Sequence, residues 1–205
     1  MQPVMNPKCP GLSVRVADDG FAAYVWGSDF SFDVSAYGAA QVGQGVDQWP
    51  VELIAPYRKC YGIDPEEFNS YRDAADSAIF MAYLDDQPVG HVVVSTNWNG
   101  FAHVDELAVH APARRHGVAK ALLDVAQFWS RKKNLPGIML ETQNNNLGAC
   151  RLYERCGYVI GGIDHLRYRG IDPHTAEVAI FWYRLFEDPM DKPSISPPAS
   201  PRLSP

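Results

Sequence analysis

The chain has 205 residues, 46% of them hydrophobic and 20% charged, with a formal net charge of -6. That length suits one domain with a sizeable core, and the composition is that of an ordinary soluble globular protein. The acidic balance argues against nucleic acid as main partner, because neutralising phosphate requires a basic surface. It suits a cationic substrate or serves solubility alone. No apolar run reaches the roughly 20 residues that span a bilayer, and the first residues carry no apolar signal core, so the expectation is a cytoplasmic protein without membrane contact.

From the start, residues 1–11 hold three prolines and no periodicity and read as a frayed tail. Leu12 to Val16 alternates apolar with polar and reads as an opening strand. Phe21 to Tyr37 is rich in aromatic residues and reads as strand or substrate-side loop. Gly38 to Pro50, rich in Gly and Gln, reads as a mobile connection. Pro56 to Lys59 and Asp64 to Phe68 carry helix-start chemistry, with Asp64 as N-cap and Pro65 in the first turn. Tyr57 and Phe68 then either cover a substrate or simply pack on a sheet.

Ala78 to Leu84 and Val89 to Ser95 form a hairpin across Asp85 to Pro88, and Asn97 to Gly100 leads into a third antiparallel strand, Phe101 to His110. Val118, Leu122, Val125, Ala126 and Trp129 recur at helical spacing in a helix that ends before Pro136. Gly137 to Thr142 follows as a strand. After a crossover helix it should lie parallel to Phe101–His110 through a right-handed connection. A short helix carries Asn146 to Tyr158. Tyr158 to Tyr168 and Glu177 to Phe186 supply two further strands, the last an exposed edge through which a homodimer could form. Residues 187–205 hold six of the sixteen prolines and read as a disordered tail, which leaves 12–186 as the single folded domain.

Two features carry chemistry. Arg114, Arg115, His116, Gly117, Val118 and Ala119 fit R-x-x-G-x-A, a turn whose backbone N–H groups can point at an anion because Gly117 has no Cβ and a helix N-terminus follows. The plain alternative is a solvated arginine-rich cap. Asn146, Ala149, Cys150 and Tyr153 lie at i, i+3, i+4 and i+7 and share one helix face. Four cysteines, Cys9, Cys60, Cys150 and Cys156, have no zinc spacing and read as free thiols, so no metal is expected.

In this order, strand, R-x-x-G-x-A, helix, strand and N-x-x-A-x-x-L-Y-E-x-x-G-Y, the chain resembles the GCN5-related N-acetyltransferases (GNAT). The runs Glu141 to Asn146, Ala149-Cys150, Cys156 to Tyr158, Gly161 to Asp164, Phe181 to Tyr183, Ala55 to Lys59 and Ser95 to Asn99 look in addition like the streptothricin (nourseothricin) acetyltransferases. The resemblance covers about Ile54 to Phe186. It implies an α/β fold: a mixed, mostly antiparallel sheet with helices on both faces, splayed between the fourth strand (Phe101–His110) and the fifth (Gly137–Thr142), counted from Leu12–Val16.

The resemblance also implies acetyl-CoA as co-substrate. The main chain of Leu107, Ala108 and Val109 would pair with its pantetheine arm as a strand would. Residues 114–119 would meet the pyrophosphate, and Asn146 would donate to the arm, cap its helix, or both. Tyr153 is the natural proton donor to the leaving thiolate, set against a plain core tyrosine. Among carboxylates that could take the amine's proton or merely hold a cationic acceptor, Glu141 ranks first, because it ends the fifth strand and matches a proton-accepting position in several family members. Glu106 ranks second and Asp105 third, with the proviso that a bulge would exchange their faces. The expected reaction is acetylation of the β-lysine amino group of streptothricin-type antibiotics. The rivals are another amine, such as a protein N-terminus or a polyamine, and a non-catalytic acetyl-CoA-binding module.

Overall fold

The computed structural model describes residues 4–5, 11–72 and 74–186. Its strands are β1 (Val4–Met5), β2 (Leu12–Val16), β3 (Phe32–Gly38), β4 (Val51–Lys59), β5 (Ser77–Leu84), β6 (Gln87–Thr96), β7 (Ala102–Val109), β8 (Gly137–Gln143), β9 (Val159–Asp164) and β10 (Ala179–Leu185). Its helices are α1 (Phe21–Trp26), α2 (Asn69–Arg72), α3 (Val118–Lys132) and α4 (Leu147–Arg155). The main sheet runs β1-β2-β5-β6-β7-β8-β10-β9, and β3 and β4 form a separate hairpin. Within the main sheet only β7 and β8 are parallel neighbours.

Alternation along the central strands divides the core between two faces. On one face Phe80, Ala82, Val92, Val94 and Val104 meet Leu122, Leu123 and Ala126 of α3. On the other, Ile79, Met81 and Val93 meet Phe21, Tyr24 and Val25 of α1. Helices therefore cover both faces, as expected.

Several expectations need correction. Phe21 to Trp26 is a helix: Phe21, Tyr24 and Val25 keep i, i+3, i+4 spacing, but six residues are too few for that period to stand out among aromatic neighbours. Pro56 to Lys59 belongs to β4 and starts no helix. Pro56 sits where the β3–β4 register shifts, so its missing N–H breaks no ladder. Asp64 does cap, accepting from the Glu66 amide at 3.0 Å, but the element it opens is a 3-10 turn running into the four-residue α2.

Gly38 to Pro50 is docked on α4. Val46 and Trp49 are buried, the Val46 amide donates to Glu154 at 2.9 Å, and Trp49 lies 6.4 Å from Trp182. Val4–Met5, in the segment expected to fray, pairs with β2, while residues 1–3, 6–10 and 187–205 lie outside the described residues. The last strand is no edge. β10 inserts between β8 and β9, which removes the reason for expecting a dimer through it. No described helix is long and apolar enough to cross a membrane.

The start of α3 rests on bare backbone. A Cβ on Gly90 of β6 would come within 2.9 Å of Val118 Cγ1, 3.1 Å of Ala108 O and 3.1 Å of Leu122 Cδ1. Gly90→Val should therefore push the first turn of α3 away from β6 and β7, at a cost of roughly 1–3 kcal/mol. A fall in melting temperature, together with weaker calorimetric binding of the acetyl-CoA that the resemblance leads one to expect, would register both effects. A variant unchanged in both would show that α3 does not rely on this close approach.

Candidate active site

The site begins where two strands part. β7 and β8 pair only at Ala102↔Ile138, His103↔Met139 and Val104↔Leu140, and beyond Val104 the edge of β7 facing β8 has no strand partner. At the same place β7 carries one residue more than β6: Val94 faces Val104 and Val93 faces Glu106, so Asp105 is the extra residue of a bulge. The bulge turns Glu106 to the face of Val93, under α1 and α2, and leaves Leu107, opposite Val92, on the α3 side. Asp105 and Glu106 thus share a face that regular alternation would deny them.

Past Val109 the chain makes a 3-10 turn (Ala111–Ala113) and enters α3 through Arg115 at φ 71° and Gly117 at φ 79°. Left-handed residues here turn successive N–H groups outward at the head of a 15-residue helix. A Cβ on Gly117 would meet nothing within 4 Å, so the turn is open to an incoming anion. The Arg114 side chain folds back and donates from Nε to the Val109 carbonyl at 3.2 Å, while Val118 is buried and anchors the helix start. Backbone donors at Arg115 to Ala119 are therefore what this turn presents.

The Asn146 side chain caps α4, its Oδ1 accepting from the Ala149 amide at 3.1 Å. Two turns on from Asn146, Tyr153 packs its ring 6.0 Å from both Tyr158 and Trp182. Its hydroxyl makes no hydrogen bond among the described residues, and burial, aided by the charges of Cys150 and others including Glu106 and Tyr61, holds its pKa far above that of a free phenol. Tyr153 is therefore packed like a core residue and keeps an unspent proton to donate. Burial also pushes the Cys150 thiol up to about 12, so it stays neutral and serves as a packed small side chain.

The three carboxylates differ sharply. Glu141 is gripped by Arg167, with Nε 2.8 Å from Oε1 and the second guanidinium nitrogen 2.8 Å from Oε2, and it accepts from the Tyr168 hydroxyl at 2.6 Å. Asp105 accepts from Ser95 at 2.7 Å and lies 3.0 Å from His103 Nδ1. Among the described residues Glu106 has only the Leu107 amide, and burial raises its carboxyl to about 7. The geometry brings Glu106 into electrostatic range of Tyr153 and Tyr61, whereas Glu141 belongs to a cluster with Arg167 and Tyr168.

That cluster continues through Tyr57, for which the sequence offered substrate cover or packing, into Tyr61, Lys59 and Glu177, whose role the sequence did not single out. Tyr61, just past β4, donates to Gln143, whose amide donates to Tyr168 at 2.9 Å. Lys59 pairs with Glu177 at 2.6 Å, and Asn145 donates to Glu177 at 3.0 Å and to the Tyr57 hydroxyl at 3.2 Å. The Tyr-x-x-x-Tyr spacing of Tyr57 and Tyr61 was visible, but nothing in it told of Glu177 more than a hundred residues away.

Comparison with known proteins places this geometry. The family model described as the Acetyltransferase (GNAT) family matches residues 47–158, over half of the chain and the whole path from β4 to Tyr158. The chain is 37% identical over 130 residues to a streptothricin acetyltransferase of Escherichia coli, covering 63% of this chain and 71% of that one. It is 37% identical over 131 residues to streptothricin acetyltransferase A of Bacillus subtilis (strain 168), covering 64% and 75%. A 1.6 Å crystal structure from Bacillus anthracis str. Ames, assigned as a streptothricin acetyltransferase and in complex with acetyl coenzyme A, superposes with a TM-score of 0.75 at 36% identity, covering 85% of this chain and 99% of that one. With the parted strands, the open turn into α3 and Tyr153 all inside the matched span, the chain is an N-acetyltransferase and belongs to the GNAT family.

Proposed function

We propose that this enzyme transfers the acetyl group of acetyl-CoA to the β-lysine amino group of a streptothricin-type antibiotic and so inactivates it, in the cytoplasm. Support for the acceptor comes from the two curated streptothricin acetyltransferases at 37% identity, and support for the donor from the acetyl coenzyme A held by the Bacillus anthracis structure. The observation that carries the chemistry is Glu106, a carboxyl raised by burial to about 7 at the point where β7 and β8 part.

When bound, acetyl-CoA supplies a thioester already activated for attack. The free edge of β7 at Leu107, Ala108 and Val109 fits its amide-bearing arm as an added strand, and the N–H groups of 115–119 fit its pyrophosphate, with Arg114 bracing the turn through Val109. Asn146 caps α4 with its oxygen and keeps its amide N–H groups for the arm. An alkylamine with a solution pKa of about 10 arrives charged and must lose a proton before it attacks. We assign that proton to Glu106, which near neutral pH is divided between its two forms. Glu141, with both oxygens on Arg167, and Asp105, held by Ser95 and His103, are taken up by these partners, and we assign them to shaping the acceptor side. Tyr153 then hands its phenolic proton to the departing thiolate.

Release of free CoA should be seen with streptothricin and not with spermidine or an N-terminal peptide at equal concentration. Turnover of only the polyamine or the peptide would replace the proposed acceptor.

For Glu106→Gln we expect kcat to fall by about 10²–10⁴-fold and the acidic limb of the wild-type kcat/KM profile, centred near pH 7, to vanish. Stability gives an independent reading. A carboxyl raised from its ordinary 4.5 to about 7 on folding stabilises fully below 4.5 and loses that contribution as pH rises to 7, by roughly 3 kcal/mol. Urea unfolding of Glu106→Gln should lack this fall. A variant that keeps the wild-type pH profiles of both rate and stability would move the base elsewhere.

Tyr153→Phe keeps the ring packing on Trp182 and Tyr158 while removing the proton. Its kcat should drop by roughly 10²-fold with acetyl-CoA affinity nearly unchanged. Wild-type turnover would return Tyr153 to a packing role.

A further inference from the structure

Beside the parted strands, the chain's own ammonium sits in a cage suited to one. Lys59 Nζ lies 2.6 Å from Glu177 Oε1 and 5.1 Å from the centroid of the Tyr61 ring. The side chains of Lys59 and Glu177 are only 16% and 20% exposed, so the pair is shielded yet not sealed. Asn145 Nδ2 shares Glu177 Oε1 at 3.0 Å, and Glu177 Oε2 accepts no hydrogen bond among the described residues. An anion with one free oxygen, an aromatic face and a rim of tyrosine hydroxyls has the chemistry that recognises alkylammonium ions.

The cage also adjoins the reaction point. The charges of Glu177 and Glu106 both act on the Tyr61 hydroxyl, and those of Glu106 and Tyr61 on Tyr153. Tyr61 is thus within electrostatic reach of both the carboxylate that holds Lys59 and the one assigned the acceptor's proton. Lys59 leaves from the end of β4, in a hairpin outside the main sheet, so its long side chain can swing out without disturbing that sheet.

We propose that Glu177, Tyr61 and Asn145 form an ammonium subsite for a second positive charge on the acceptor, plugged in the free enzyme by Lys59, which the acceptor displaces. The inference rests on the proposed class of acceptor, a polycationic amine. Lys59 thereby acts as a specificity device. A monocation offers nothing to offset breaking the internal pair, whereas a second ammonium of the acceptor replaces Lys59 on Glu177 at little net loss of electrostatic energy.

The test removes the plug and the anion in turn. Lys59→Met keeps the apolar stem and deletes the charge, and it should lower KM for streptothricin about tenfold, since one ammonium no longer competes with another. Glu177→Gln should raise KM by a similar factor, and in the double variant the gain from Lys59→Met should disappear. Lys59→Arg, which can grip Glu177 with two N–H groups, should raise KM. Calorimetry of 1,5-diaminopentane against CoA-saturated wild type and Lys59→Met checks the cage without turnover, with about tenfold tighter binding expected in the variant. Unchanged or raised KM in a folded Lys59→Met, or a gain that survives Glu177→Gln, overturns the proposal. Should Lys59→Met fail to fold, the Lys59→Arg arm decides alone: an unchanged KM counts against the plug. If wild type leaves streptothricin untouched, the acceptor assignment fails, and the diamine titration still supports or refutes the cage.

Discussion

Everything in this molecule that bears on transfer depends on β7 and β8 pairing for three residues and then parting. Parallel strands joined by a crossover helix would ordinarily stay paired along their length. Here the bulge at Asp105 bends β7 at the point where β8 leaves it, and β8 is compensated on its other side by seven paired residues of β10. The sheet keeps its continuity through Val104↔Leu140 while presenting a short unpaired edge. Such an edge is costly when buried without a partner. An extended ligand with amides of its own is the natural complement.

Burial then sorts the polar groups around that opening into two kinds. Glu141, Asp105, Gln143, Asn144 and Asn145 are engaged by guanidinium, hydroxyl, carboxylate or backbone partners, which is how most buried polar atoms are accommodated. Glu106 and the Tyr153 hydroxyl are not so engaged, the first with a single backbone donor and the second with no hydrogen bond among the described residues, and Asn145 Oδ1, the Tyr158 hydroxyl and Trp182 Nε1 are likewise buried without a hydrogen-bond partner. Leaving them so costs stability, and the same burial gives Glu106 a proton affinity near neutrality while keeping Tyr153 protonated. The roles proposed for Glu106 and Tyr153 thus rest on what the fold withholds from them.

The β3–β4 hairpin and the stretch from Gly38 to Pro50 complete the proposed acceptor side from outside the main sheet. Trp49 lies near Trp182, which itself packs on Tyr153, so the connection that carries Val46 and Trp49 is part of the same apolar block that holds Tyr153. Arg151 and Glu154 of α4 fasten it through Asp47 and the Val46 amide. Lys59 and Tyr61, at the far end of β4, are in this way carried to β8 and Glu177. The recognition surface is assembled from segments whose only common property is where the tertiary structure brings them.

How much of this was legible in the sequence follows from the range of the forces involved. The hairpin of β5 and β6, the stripe of α3, the open turn at Gly117 and the Asn146-to-Tyr153 face are local patterns, and their place in the fold could be read from spacing alone. α1 and β4 could not: a six-residue helix and an exposed two-stranded hairpin bury too little in a regular pattern to be told from loop. The order of the carboxylates was out of reach for a different reason. Glu106, Asp105 and Glu141 are the same functional group until a bulge turns one of them inward and Arg167, Tyr168, Ser95 and His103 arrive to occupy the other two. Those partners come as much as 27 positions along the chain, and Glu177 comes 118 positions from Lys59. The sequence by itself determined the elements and the residue types available to the chemistry. Only the tertiary structure decided which carboxylate is left without a side-chain partner among the described residues, because desolvation and ion pairing act through space and carry no trace in local order.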